Sequence, residues 1–234
     1  MSNNKKNVHV ILLARKNSKG VKKKNIRPFN GRPLIYWTLN HCLKSKYISN
    51  IWVSSDSREI LNYSAKYGAK KILRPKELAG DEASSESGWL HALNIIKKTY
   101  DIDKIPLILA PQITSPVRKN NDFDLAIKKM FNEKLDSLFS GTLIEDFFIW
   151  KNKTKLKPNY QMIKRPRRQE IRPNILENGS FYIFNTKKFL DKKIRLFGKI
   201  GCYLQNKHQS FQIDDIEDFN LIKLIHKFNI KKQL

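Results

Sequence analysis

Along the first 140 positions, short apolar runs alternate with segments whose apolar residues recur at helical spacing. Val8-His9-Val10-Ile11-Leu12-Leu13 is apolar everywhere but His9, which predicts a strand over about 8–14 covered on both faces. Turn chemistry follows at Pro28-Phe29-Asn30-Gly31-Arg32-Pro33, with Pro33 as the first residue of a helix. Leu34, Ile35, Trp37, Thr38, His41, Cys42 and Leu43 then share one helical face, where His41 reads as a packed histidine. Ile51–Ser55 is a second strand, and Asp56 is the expected N-cap of a helix whose Glu59 reaches back and which stops at Gly68. Ile72-Leu73 is a third, short strand ended by Arg74-Pro75. A helix from about Glu86 to Lys98, a strand over Pro106–Ala110, a helix from Asn121 or Asp122 to about Asn132, and a strand over Asp136–Ser140 complete the series.

This alternation predicts a three-layer α/β/α fold around a mostly parallel sheet. Ligands in such sheets sit outside the carboxyl ends of the strands, so the loops after the first, second and Leu107 strands should line one crevice. From Ile144 the pattern breaks. The apolar patch Phe147–Trp150 leads into Lys-rich turns and Arg165-Pro166-Arg167-Arg168-Gln169, and helical spacing returns only after Asp214. Residues 145–205 are therefore expected to leave the sheet as a dimerisation subregion within one domain spanning 1–234.

Composition narrows the class. A chain of 234 residues with 40% hydrophobic positions buries a core without disulfide staples, which excludes a disordered chain. Cys42 and Cys202 alone make neither a disulfide framework nor a zinc site. No apolar stretch is long enough to span a membrane, and Met1–Lys6 precedes no signal-peptide core, so a cytoplasmic protein without membrane partners is expected. Asn152-Lys153-Thr154 and Asn178-Gly179-Ser180 are then chance matches to the glycosylation pattern. The net charge of +25 raises nucleic acid as a partner. Its basic residues are spread over the chain, however, with no basic and aromatic block, and read mostly as solvated surface.

The stretch that does carry chemistry is Ala14-Arg15-Lys16-Asn17-Ser18-Lys19-Gly20-Val21-Lys22-Lys23-Lys24-Asn25. A buried strand opening into a basic, small-residue loop converges backbone N–H groups and cationic heads on a polyphosphate. The alternative is a plain exposed Lys-rich connection.

Further blocks turn this loop into a resemblance. Arg15-x-x-Ser18-Lys19-Gly20, Lys24-Asn25-Ile26-Arg27-Pro28 and Gly31-Arg32-Pro33-Leu34-Ile35 resemble the opening of the N-acylneuraminate cytidylyltransferases, the CMP-sialic acid synthetases. The likeness continues through Val53-Ser54-Ser55-Asp56, Arg74-Pro75, Leu78-Ala79-Gly80-Asp81 with Ala83-Ser84-Ser85, and Gln112-x-Thr114-Ser115-Pro116-x-Arg118. It resumes at Pro166-Arg167-Arg168-Gln169, Glu177–Tyr182, Ile213-Asp214 and Glu217-Asp218-Phe219.

The resemblance implies a Rossmann-like nucleotidyltransferase, a homodimer, in which the anomeric hydroxyl of a nonulosonic acid attacks the α-phosphate of CTP and pyrophosphate leaves. By the same resemblance Arg15 and Lys19 hold the triphosphate, Ser18, Lys24 and Asn25 make further nucleotide contacts, and Arg74 and Ser84 surround the cytidine. Gln112, Arg167, Asn178 and Tyr182 match the sugar side, although Gln112 also reads as a polar strand-end cap and Tyr182 as a core aromatic. Phe197 falls near an aromatic that the family's partner subunit contributes. Asp214 matches a magnesium (Mg2+) ligand and completes a catalytic set with Arg15 and Lys19. Where the family pattern is Asp-Ile-Asp, this chain has Gln212-Ile213-Asp214, and in an extended segment the neighbouring Asp215 points to the opposite face. One metal carried by Asp214 and phosphates, weaker magnesium affinity, or reduced activity are the readings of that change. The family lysine expected near Trp150 and Lys151 has no counterpart. The sugar itself stays open among sialic, legionaminic, pseudaminic and eight-carbon acids. The last is disfavoured because Gln112-Ile113-Thr114-Ser115-Pro116 stands where those enzymes carry Gly-Asp-Glu-Pro.

Overall fold

The first strand, β1 (Val8–Leu13), is buried along almost its whole length, as an unbroken apolar run demands. The structure is a computed structural model and describes residues 7–145, 148–151 and 155–231. After β1 come a hairpin of β2 (Pro28–Phe29) and β3 (Arg32–Pro33), then α1 (Leu34–Lys44), β4 (Ile48–Ser55) and α2 (Arg58–Ala65). β5 (Lys70–Leu73), α3 (Ser85–Ile96), β6 (Leu107–Pro111), α4 (Asp122–Asn132) and β7 (Ser137–Ile144) continue the alternation. A small ribbon of β8 (Trp150–Lys151) and β9 (Lys157–Pro158) precedes β10 (Asn174–Asn185), α5 (Thr186–Lys192), β11 (Ile200–Leu204) and α6 (Ile216–Lys231).

Seven strands form one sheet in the order β11-β7-β10-β6-β1-β4-β5. Every neighbouring pair is parallel except those of β10, which runs antiparallel between β6 and β7. Successive residues of a strand face opposite ways, and β1 shows the consequence. Val10 and Leu12 pack with Leu34, Ile60, Phe123 and Phe219 from α1, α2, α4 and α6, whereas Ile11 packs with Trp89 of α3 and Phe189 of α5. The three layers expected from the alternation are present.

Three expectations are corrected. First, residues 145–205 do not all leave the sheet. Asn174–Asn185 fills its centre, with Phe181, Ile183 and Phe184 fully buried, and Ile200–Leu204 forms an edge. The departure is limited to about 145–173, because a strand entering antiparallel needs no crossover helix to announce it. Second, Pro33 ends a tight hairpin rather than starting the helix. Asn30 and Gly31 both have positive φ (47° and 83°), which a two-residue turn of this hand requires. Third, Ser57, not Asp56, caps α2, its Oγ accepting from the Ile60 N–H at 3.4 Å. Glu59 instead faces Lys23 at 3.6 Å. Phe147 of the apolar patch, Asn152–Thr154 and Met1–Lys6 lie outside the described residues. No described helix is long and apolar enough to cross a membrane.

His41 is buried against Phe123, as expected of a packed histidine, and His9 and His226 are buried too. Desolvation pushes His41 down to about 3, with Arg118 adding to it, and His226 down to about 4. His9 also falls to about 4 through burial and then the charge of Lys70. In the unfolded chain these groups take protons near 6.5, while the folded chain resists until much lower pH. Stability is therefore whole above about pH 6.5 and is lost as pH falls toward 4. The melting midpoint should be level above that window and drop within it. A level midpoint down to pH 4 would show that the fold accommodates charged histidines.

Candidate active site

The carboxyl ends of β1, β5 and β6 open onto one cleft of about 360 Å³. Arg15, Ser18, Lys24 and Asn25 reach it from the loop after β1, Arg74 and Ser84 from the connection between β5 and α3, and Gln112 from the end of β6. Gln212 and Asp214 close it from the segment before α6. Lys19 lines an adjoining cavity of about 520 Å³, shared with Arg15, Lys16, Asp56 and Lys76. Every residue expected to meet the nucleotide thus stands at this cleft or next to it.

The basic loop is tied down at several points. Ala14 N–H donates to Ser54 O at 3.0 Å and Lys16 N–H to Asp56 Oδ1 at 2.7 Å, which explains why Asp56 does not cap its helix. Asn25 Nδ2 donates to Arg15 O at 2.9 Å, and Lys24 Nζ to Ile213 O at 2.6 Å. Gly20 lies against the Asp214 backbone so closely that a Cβ there would collide with the carbonyl. Burial lowers the Lys24 pKa, partly offset by Asp214. Asn25 and Lys24 therefore shape the loop through backbone contacts and join it to the Asp214 segment.

Two cations of the loop share one carboxylate. Arg15 Nη1 donates to Asp81 Oδ1 at 2.6 Å, and Lys19 Nζ stands 3.2 Å from Asp81 Oδ2. The hydrogen bonds from Arg15 and then Lys19 hold the Asp81 carboxyl below its usual range. Arg74 is buried against Gly88 of α3, where a Cβ would come within 2.9 Å of its Nη1. Its Nε has no hydrogen-bond partner among the described residues, and burial lowers its pKa despite the nearby Asp56. Ser84 caps α3 with its Oγ, accepting from Ser87 N–H at 3.1 Å.

Asp214 is exposed at the cleft. Asp215 and Asp218 cap α6 reciprocally, Asp218 N–H donating to Asp215 Oδ1 at 2.9 Å and Asp215 N–H to Asp218 Oδ2 at 3.2 Å. Asp215 is thus committed to the helix end. Gln212 donates from Nε2 to Asn178 O, over Gly179, whose φ of +62° and missing side chain leave room for the amide. A carboxylate at 212 would have no proton to offer that carbonyl.

The sugar-side residues do not all converge. Gln112 lines the cleft, but Arg167 is exposed on the 145–173 excursion and is not among the cleft residues. Asn178 is buried with its amide fully engaged, accepting from Ser140 Oγ (2.7 Å) and Ser180 N–H (3.1 Å) and donating to Gln205 Oε1 (3.0 Å). Tyr182 is the core aromatic of its two readings: it lies under Trp89, and its hydroxyl donates to Glu177 Oε1 at 2.5 Å. Phe197 is buried in its own chain's core, against the Trp89 cluster. A polar or aromatic residue in a matching block does not reveal which side of a strand it takes. The register of β10 decides that.

Two anchoring groups were given no role by the sequence. Arg118, almost wholly buried, donates to Ser180 Oγ (3.0 Å), Ser180 O (2.7 Å), Gln112 O (2.6 Å) and Thr38 Oγ1 (3.2 Å), and burial brings its pKa down to about 10. It locks Gln112 to β10. Its place in the Gln112-to-Arg118 block was the available signal. Arg195 forks onto Glu86 at 2.6 and 2.9 Å and covers the rings of Trp89 and Tyr182, fixing the start of α3 behind Ser84.

Clustered cations at strand ends, an exposed carboxylate opposite and a lining of small residues can hold a polyphosphate and neutralise charge that develops on it. Comparison with known proteins agrees. A model of the family described as cytidylyltransferase matches residues 9–233. N-acylneuraminate cytidylyltransferase A of Danio rerio is 30% identical over 215 residues, covering 89% of this chain and 48% of its own length. The pseudaminic acid cytidylyltransferase of Campylobacter jejuni subsp. jejuni serotype O:23/36 is 28% identical over 226 residues, covering 94% and 96%. The chain therefore spans about half the length of the first relative and nearly all of the second. A solved CMP:2-keto-3-deoxy-manno-octonic acid synthetase complexed with CTP superposes with a TM-score of 0.69 at 14% identity, over 97% of this chain and 99% of that one, a likeness of fold.

Proposed function

The chain belongs to the cytidylyltransferase family, and we propose that it activates a nonulosonic acid of the sialic type with CTP, giving the CMP-sugar and pyrophosphate. The observation that carries this reading is the meeting of Arg15, Ser18, Arg74 and Ser84 with Gln112 and Asp214 around one cleft. In the proposed step a sugar hydroxyl oxygen bonds to the α-phosphorus, the bond to the bridging oxygen of the β-phosphate breaks, and the hydroxyl proton is released. Arg15 and Lys19 hold the charge that accumulates on the departing pyrophosphate, while Gln112, kept in place by Arg118, faces the acceptor side.

Asp214 is the residue proposed to hold magnesium. Among the described residues no three metal-binding side chains cluster, and a single exposed carboxylate suits a cation that takes its remaining ligands from phosphates and water. Bound there, magnesium would neutralise phosphate charge. Gln212→Asp should lower the magnesium concentration needed for half-maximal rate. An unchanged magnesium titration would mean that position 212 does not see the metal.

Pseudaminic acid is the second substrate reading, favoured by the relative that this chain matches along nearly its whole length. One experiment tests both: pyrophosphate release from CTP with sialic, legionaminic, pseudaminic and eight-carbon acids in turn. Release with one of the nonulosonic acids alone is expected. Folded protein that releases none across the panel would remove the enzymatic claim. We also propose a homodimer through the 145–173 excursion, which exposes Leu156, Met162 and Ile163, and a cytoplasmic location, supported by the unpaired Cys42 and Cys202.

A further inference from the structure

Asp81 stands where an anion should. Its two carboxylate oxygens are divided between Arg15 and Lys19, the two cations that the loop after β1 presents at the strand end. Arg15 and the same aspartate line both cavities, with Ser18, Ala79 and Gly80, so the Arg15–Asp81–Lys19 bridge is part of the partition between the cleft and the basic cavity beside it. It comes from a short, irregular segment between Lys76–Ala79 and Ser85, with Gly80 in extended conformation just before it. Among the described residues the Asp81 side chain makes no other hydrogen bond or ion pair, so the two cations are its polar anchors there.

We infer that Asp81 is an internal competitor for the phosphate site: it holds Arg15 and Lys19 while no polyphosphate is bound, is displaced when one enters, and takes the cations back as the product polyphosphate leaves. A carboxylate and a phosphate offer the same oxygen geometry to a guanidinium, so the exchange replaces like with like. A triphosphate carries more charge than one carboxylate and bridges both cavities once the partition opens, which gives it the advantage. The pyrophosphate product has less reach into the cleft, and the returning carboxylate favours its departure. Asp81 thereby sets how tightly the enzyme holds substrate and product without touching the reacting phosphorus. The inference rests on the proposed reading only in taking the natural ligand to be a nucleoside triphosphate.

The test uses inorganic tripolyphosphate and pyrophosphate, titrated calorimetrically into the full chain and its Asp81→Asn and Asp81→Ser variants. Both variants should bind each probe tighter, by up to about tenfold, which is what two half-exposed charge pairs can supply between them. Pyrophosphate should also dissociate more slowly from them. Because the Asp81 side chain is about half exposed (48%), folding is checked by an unchanged melting midpoint. Unchanged or weaker binding in folded variants overturns the inference, as does failure of both wild type and variants to bind either probe. Tighter binding without CTP turnover in any variant or the wild type would leave the inference standing and count against the proposed function. Turnover with CTP but no gain in affinity at Asp81 would do the reverse.

Discussion

Lys19→Ala is expected to slow CTP-dependent pyrophosphate release at least ~100-fold, and Asp214→Asn by as much, since each removes charge stabilisation at the transferring phosphates. Both side chains are exposed, so neither holds the fold together. Among the described residues Lys19 pairs with Asp81 alone, and Asp214 contributes its backbone N–H, which donates to Asp218 Oδ2 at 3.0 Å and survives the substitution. Melting midpoints should therefore match that of the wild type, separating a catalytic loss from a folding one. Asp214→Asn has a second consequence. Its carboxylate offsets the desolvation of Lys24, so the Lys24 pKa should fall further. Near-wild-type rates in either variant would show that the phosphate assignment is misplaced.

The second large effect lies behind the site. Arg118→Leu should destabilise the fold by roughly 3 kcal/mol, because it removes a buried arginine's hydrogen bonds to four acceptors. Gln112 O and Ser180 O keep backbone partners, Ser115 N–H at 3.4 Å and Gln112 N–H at 2.9 Å, which limits the cost. In a domain of this size that loss lowers the melting midpoint by roughly 10 °C. Arg118→Lys should recover little, since an ammonium cannot fork to acceptors just past β6, on β10 and on α1 at once. Below the new midpoint, either variant should also raise the apparent KM for the sugar acid through Gln112. A stability within about 0.5 kcal/mol of wild type would show that water replaces the guanidinium.

The parts legible from the chain are those with local causes. The apolar run at Val8–Leu13, the helix over the Leu34 face and the Gly68 stop are set by neighbours a few residues away, and they appear where expected. The phosphate loop was legible for a similar reason: Arg15, Ser18 and Lys19 follow a strand end whose position the apolar run dictates. Errors occurred where a residue had two plausible partners. Asp56 can cap a helix or accept from Lys16, and only the return of the loop over β4 chose the second. Asn178, Tyr182 and Phe197 carry side chains suited to a sugar pocket and equally suited to a core. Asn178 and Tyr182 went to the core because β10 enters the sheet between β6 and β7 and points them inward, and Phe197, between α5 and β11, packs into the Trp89 cluster.

By itself the sequence determined the layered α/β architecture, the basic loop at the end of the first strand and the single carboxylate at 214, since periodicity, turn chemistry and residue identity are local properties. The tertiary structure decided what distance along the chain conceals. It inserted β10 antiparallel into the sheet, confined the excursion to about 145–173, and joined Lys24 to Ile213 across the chain. It also brought Asp81 onto Arg15 and Lys19, a contact between residues 66 apart for the arginine that no local pattern encodes. The physical reason is common to all of these. Pairing between distant segments depends on which surfaces remain uncovered once the local elements have formed, and that is a property of the whole fold.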